Sequence, residues 1–99
     1  MNLKNLINEP GASLVDVRES WEFSAGSVAG SINIPLGQVF ARLEEFKQMS
    51  KPLVLFCVSG NRSGMAEAFL KAQGVKEVYN GGAWQDVAYY KESAESVAH

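Results

Sequence analysis

The run Leu53-Val54-Leu55-Phe56-Cys57 constrains this chain more than any other stretch. It is apolar without interruption, whereas a strand with one face in water would alternate apolar and polar residues. An uninterrupted run of this length suits a central strand covered on both faces. The next four residues, Val58-Ser59-Gly60-Asn61, are small and turn-compatible, and then Met65, Phe69 and Ala72 recur at helical spacing. A buried strand, a tight turn and a helix form the repeating unit of a mostly parallel sheet.

The rest of the chain keeps that rhythm. Ser13–Val17 and Ser31–Ile34 read as further strands, the second stopped by Pro35, and Glu77–Tyr79 as a fourth, shorter one. Leu36, Val39, Phe40, Leu43 and Phe46 predict a single helix over 36–48 with one apolar stripe. A helix over 62–73 should end at Gly74, a residue suited to the left-handed cap position. Leu3, Leu6 and Ile7 predict a short helix closed by Pro10-Gly11, and residues 83–90 a last helix after a Gly81-Gly82 turn. With 99 residues there is room for one domain. It is expected over 1–91, with 92–99 as a loose polar tail. The fold class is α/β, a single three-layer α/β/α domain around a central, mostly parallel sheet.

Composition removes several functions. Hydrophobic residues make up 46% and charged residues 20%, with a net charge of −2, which is ordinary for a globular domain. No basic stripe appears, so nucleic acid is not an expected partner. No stretch approaches the roughly 20 apolar residues of a membrane span, and the first residues lack a signal-peptide core, so no membrane partner and a cytoplasmic location are expected. One cysteine rules out an internal disulfide, and the one histidine is the last residue, His99. A Cys–His dyad or a zinc site needs more than these two counts supply.

Chemistry therefore centres on Cys57. It ends a central strand, where open α/β sheets bind ligands, and a helix begins near Arg62. Backbone N–H groups in such a loop form an anion-binding nest, and the unpaired N–H groups of the helix start add positive potential. Both favour a thiolate over a thiol, whose ordinary pKa is about 8.5. Gly60 opens backbone conformations closed to other residues, and Arg62 offers a guanidinium for an anionic donor. Cys57 also fits a buried structural role, since free cysteine is among the most buried residue types. Asp16 and Arg18, at the end of the first strand, read as structural, Asp16 accepting backbone hydrogen bonds and Arg18 pairing with an acid, with substrate contact as the alternative. Glu22 reads as a solvated helix residue or, near the mouth, as a charge that repels anionic donors, and Trp84 as packing or pocket lining.

The segment Cys57-Val58-Ser59-Gly60-Asn61-Arg62-Ser63 resembles the active-site loop of rhodanese-like sulfurtransferases. Three more segments match the family in order: Leu14-Val15-Asp16-Val17-Arg18-Glu19 with Glu22-Phe23, then Gly26 through Gly30-Ser31-Ile32-Asn33-Ile34-Pro35-Leu36, then Val78-Tyr79-Asn80-Gly81-Gly82 with Trp84. The resemblance covers residues 3–90. It implies a sheet of four to five strands, four of which are visible here. It also implies a Cys57 persulfide as sulfur carrier, with Val58, Ser59, Gly60, Asn61 and Arg62 binding the substrate. No metal or organic cofactor is implied. Partners would be small sulfur-containing anions or persulfides and a sulfur-acceptor protein; the sequence carries no oligomer signal. Departures are Ser27, where the family commonly has histidine, and the neutral Val58 and Ser59, where many thiosulfate-using relatives carry a second base. Cysteine phosphatases and arsenate reductases place five residues between cysteine and arginine, and this chain places four. A non-catalytic module of the same fold is the alternative of a different class.

Overall fold

The fold is described from a computed structural model for residues 2–97, with side-chain surroundings up to residue 93. His99 lies outside the described residues. The chain opens with α1 (Leu3–Ile7), whose N-cap Asn2 accepts the backbone N–H of Lys4, followed by β1 (Ser13–Asp16) and α2 (Ser20–Ala25). Next come β2 (Ile32–Asn33), α3 (Leu36–Val39), α4 (Leu43–Gln48) and β3 (Leu53–Cys57). α5 (Asn61–Ala72), β4 (Val78–Ala83) and α6 (Trp84–Val97) complete it.

The four strands form one sheet in the order β2-β1-β3-β4, and every neighbouring pair is parallel. β3 sits inside it and is buried at all five positions, as its unbroken apolar run requires. Its side chains divide between two cores. Leu53, Leu55 and Cys57 join Val39, Phe46, Ala66 and Leu70 from α3, α4 and α5 on one face. Val54 and Phe56 join Leu6, Ile7 and Val87 from α1 and α6 on the other. That alternation is the three-layer sandwich, and it assigns Cys57 to the α5 face.

The structure differs from the sequence pattern in four places. The single helix expected over 36–48 is two. The break between α3 and α4 lets Val39 and Phe46 both reach the core, while exposed Phe40 turns out against Phe69 with ring centroids 5.2 Å apart. On α5 the buried stripe is Ser63, Ala66 and Leu70, and Met65 is 63% exposed. Small residues at 63 and 66 bring the helix close to the sheet, which rotates the larger Met65 outward. Gly81 and Gly82 lie within β4 and form no turn: Leu55 pairs with Asn80 and Phe56 with Gly82, leaving Gly81 as a bulge. A Cβ at Gly81 would stand 2.9 Å from Val54 Cγ1, so the bulge fits only glycine. The last helix begins at Trp84 and runs to Val97, past Tyr90 and into the segment expected as a loose tail. Residues 85–97 hold no glycine or proline, and Ala, Glu and Lys favour continuation. Gly74 does adopt the expected left-handed conformation, with φ of 88°.

Candidate active site

Parallel pairing brings the carboxyl ends of all four strands to one edge of the sheet, where the loops after β1 and β3 lie. The β3–α5 loop is residues 58–60. Gly60, at its end, has φ 96° and ψ −7°, a left-handed conformation that turns the chain into α5. A Cβ on it would lie 3.3 Å from Gly82 Cα. Asn80 on β4 staples the loop: its Nδ2 donates to the Gly60 carbonyl at 3.0 Å, and its Oδ1 accepts from Ser63 Oγ at 2.7 Å and from the Gly82 N–H at 2.9 Å.

Cys57 Sγ sits beneath this loop. The Gly60 N–H donates to it at 3.1 Å, and Ser63 Oγ lies 3.5 Å away. Burial pushes the thiol up, but the Ser63 hydroxyl and the backbone N–H groups of Ser63, Gly60 and Ser59 pull it down, and the net result lies below the ordinary thiol value. The Ser63 hydroxyl has one proton and two acceptors, Asn80 Oδ1 and Sγ, so it serves one at a time. Cys57 is only 1% exposed.

Arg62 is the second residue of α5, and its fork is already engaged. NH1 donates to Glu22 Oε1 at 2.7 Å and NH2 to Glu22 Oε2 at 3.1 Å. The Arg62 hydrogen bond, helped by the Glu19 N–H at 2.8 Å, brings the Glu22 carboxyl down to about 2. The expectation of Glu22 as a solvated residue is thereby corrected: its side chain is 14% exposed and spans from α2 to α5. Arg62, expected to offer its guanidinium outward, is tied back by the same contact.

A second ion pair supports the loop after β1. Arg18 Nε donates to Asp16 Oδ2 at 2.9 Å, and its NH2 donates to Asp16 Oδ2 and the Gly26 carbonyl, both at 2.7 Å. Both side chains are buried, and Trp84 stacks on the guanidinium at 4.5 Å. Asn33 ties the same loop to β2 through the carbonyls of Asp16 and Arg18, each at 2.9 Å. Asp16, Arg18 and Trp84 are thus framework.

A family model described as the rhodanese-like domain matches residues 2–90. The chain belongs to the rhodanese-like domain family. It is 44% identical over 69 residues to the uncharacterized protein YqhL of Bacillus subtilis, covering 70% of this chain and 54% of that protein, so it spans about half of this relative's length. It is 35% identical over 74 residues to thiosulfate sulfurtransferase GlpE of Pseudomonas syringae, covering 75% of this chain and 69% of that one. Among solved structures, a rhodanese with anions from E. coli superposes with a TM-score of 0.70 at 31% identity, over 78% of this chain and 92% of the other.

In this rhodanese-like site, the loop residues singled out from sequence are all brought together. Val58 and Ser59 are exposed on its rim, Gly60 faces β4, and Asn61 opens α5. Ser63 and Asn80 are not evident as site residues from sequence, nor is the partner of Glu22. Ser63 and Asn80 lie in the family-like motifs with no role attached, and only the fold shows the Oγ–Oδ1 contact between them. Glu22 is 40 residues from Arg62 in sequence, and nothing local announces that pairing. Among the described residues, no helix is long and apolar enough to cross a membrane.

Proposed function

We propose that this domain is a sulfurtransferase that carries sulfane sulfur as a persulfide on Cys57. The observation that carries the reading is the Sγ environment: N–H donors converge on a thiol at the end of a central strand and favour its ionised form. The name of the Pseudomonas relative, a thiosulfate sulfurtransferase, supports the reaction class. In the first step the Cys57 thiolate attacks the outer sulfur of the donor. An Sγ–S bond forms, the donor's S–S bond breaks, and the leaving group (sulfite, if the donor is thiosulfate) departs with the electron pair. The backbone of Val58, Ser59, Gly60 and Asn61 surrounds the transferred sulfur, and Arg62 holds the loop's far side. In the second step a thiophile attacks that outer sulfur: cyanide in an assay, a thiol or an acceptor protein's cysteine in the cytoplasm. Cys57 leaves as thiolate. This is covalent catalysis with ping-pong kinetics, and it needs no general base, metal or organic cofactor.

Intact mass after treatment with thiosulfate or a persulfide tests the reading. A gain of about 32 Da, one sulfur atom, is expected of the covalent intermediate. Cys57→Ala should show no gain and no transfer, with its circular dichroism unchanged. The near-complete cover of Cys57 favours the non-catalytic alternative. A folded protein that acquires no sulfur from either donor, and whose thiol alkylates only on unfolding, would establish that alternative.

A further inference from the structure

The Glu22–Arg62 contact sets the charge balance of the site. Arg62 is the only cation between Cys57 and Ser63, and both ends of its fork are bound to Glu22, at 2.7 and 3.1 Å. Glu22 is fixed from a second side by the Glu19 N–H, so the carboxylate is held in place. The other nearby guanidinium, Arg18, is buried and bound to Asp16. The two pairs cancel. Among the described residues, the other groups whose field reaches Arg62 are Glu19 and Cys57, the latter negative once its thiol ionises.

We propose that Glu22 selects the sulfur donor, withholding Arg62 from anionic donors and favouring a sulfane sulfur carried on an uncharged group, such as an alkyl hydropersulfide. This rests on the sulfurtransferase reading of Cys57. With a hydropersulfide RS–SH, the thiolate attacks the terminal sulfur. The Sγ–S bond forms, the RS–S bond breaks, RS⁻ leaves with the electron pair, and the proton stays on the transferred sulfur. The protonated hydropersulfide brings no charge to the negative edge, and its anion brings one where thiosulfate brings two. A thiosulfate dianion, by contrast, meets uncompensated like charge and no free guanidinium. The carboxyl of Glu22 titrates near 2, so the filter is in place throughout the neutral range.

Single-turnover loading of Cys57, followed by intact mass, tests this with thiosulfate and a small alkyl hydropersulfide. Glu22→Gln preserves the side chain's size and an acceptor oxygen but removes the charge. The ratio of loading rate constants, thiosulfate over hydropersulfide, should rise roughly tenfold, as expected for removing one charge several ångströms from a dianion. In the wild type, added salt should speed thiosulfate loading by screening repulsion, and this response should flatten in the variant. An unchanged ratio overturns the proposal. So does wild-type thiosulfate loading that slows with salt, the response of a free Arg62 that captures anions. The salt measurement needs no substitution and stands even if Glu22→Gln folds poorly. Failure of both donors to load Cys57 would refute the sulfurtransferase reading and this inference with it. Loading by both at an unaltered ratio would refute donor selection alone.

Discussion

Replacing Gly60 by alanine tests the geometry of the loop more directly than any change at Cys57. The native backbone there has φ 96° and ψ −7°, and a residue with a side chain in the left-handed region costs about 1–2 kcal/mol. The new methyl would lie 3.3 Å from Gly82 Cα. That atom is backbone of β4, and its own N–H is anchored on Asn80, so it has little freedom to withdraw. Overpacking of this kind adds about 1–3 kcal/mol. The combined loss is about 2–5 kcal/mol, which for a domain of this size lowers Tm by roughly 8–40 °C. Relief of the contact moves Gly60 N away from Sγ, now at 3.1 Å, so the thiol should titrate higher and alkylate more slowly at neutral pH. Differential scanning calorimetry reads the first effect, and the pH dependence of iodoacetamide labelling reads the second. Gly60→Asn separates the two costs, since asparagine tolerates the left-handed region yet carries the same Cβ. A Gly60→Ala protein that melts within about 3 °C of the wild type, with an unshifted labelling midpoint, would refute the claim that conformation and close approach demand glycine here.

Three further perturbations have signed outcomes. Ser63→Ala removes a donor to the thiolate, so the labelling midpoint of Cys57 should rise; an unchanged midpoint would mean that the hydroxyl stays with Asn80 and never turns to sulfur. Arg62→Gln should release the Glu22 carboxyl from about 2 toward the ordinary carboxylate range, as read by NMR titration of its carboxyl carbon. A depressed carboxyl pKa contributes stability that is complete above the unfolded value and lost as pH falls through the folded one. The gap between wild type and Arg62→Gln, about 1 kcal/mol for a partly solvated pair, should therefore close as pH falls toward 2. Arg18→Met leaves Asp16 buried without its partner and should cost about 3–5 kcal/mol in urea denaturation; a loss below about 1 kcal/mol would show that the Arg18–Asp16–Trp84 cluster does not hold the β1 loop.

The fold is legible where burial alone decides the pattern. β3 reads directly from its five apolar residues because a strand covered on both faces leaves no polar position. The pattern misleads wherever one surface has to satisfy two neighbours. On α5 periodicity favours Met65, but the sheet and Asn80 need small residues, so Ser63 and Ala66 face inward. The Gly81-Gly82 pair has the composition of a turn. Its function is set across the sheet, where Val54 leaves no space for a Cβ, and cross-sheet contact has no local signature in sequence. The extension of α6 to Val97 is hidden for another reason. Polarity suggests looseness, whereas Ala, Glu and Lys support a helix whether or not it is buried.

At the site the same division holds, with a consequence for charge. Residues contiguous with Cys57 are legible because strand, turn and helix start are local. The electrostatics are not, because they depend on which side chains distant in sequence the fold brings within reach. From the loop alone Arg62 is an unpaired cation above a thiolate, and an anionic donor is the natural expectation. Glu22 reverses that expectation through two hydrogen bonds from another helix, without altering one residue of the loop. A loop of unchanged sequence thus presents a free guanidinium or a neutralised one according to what stands at position 22. On the proposed donor selection, the charge that an incoming donor meets is set outside the segment that carries the nucleophile.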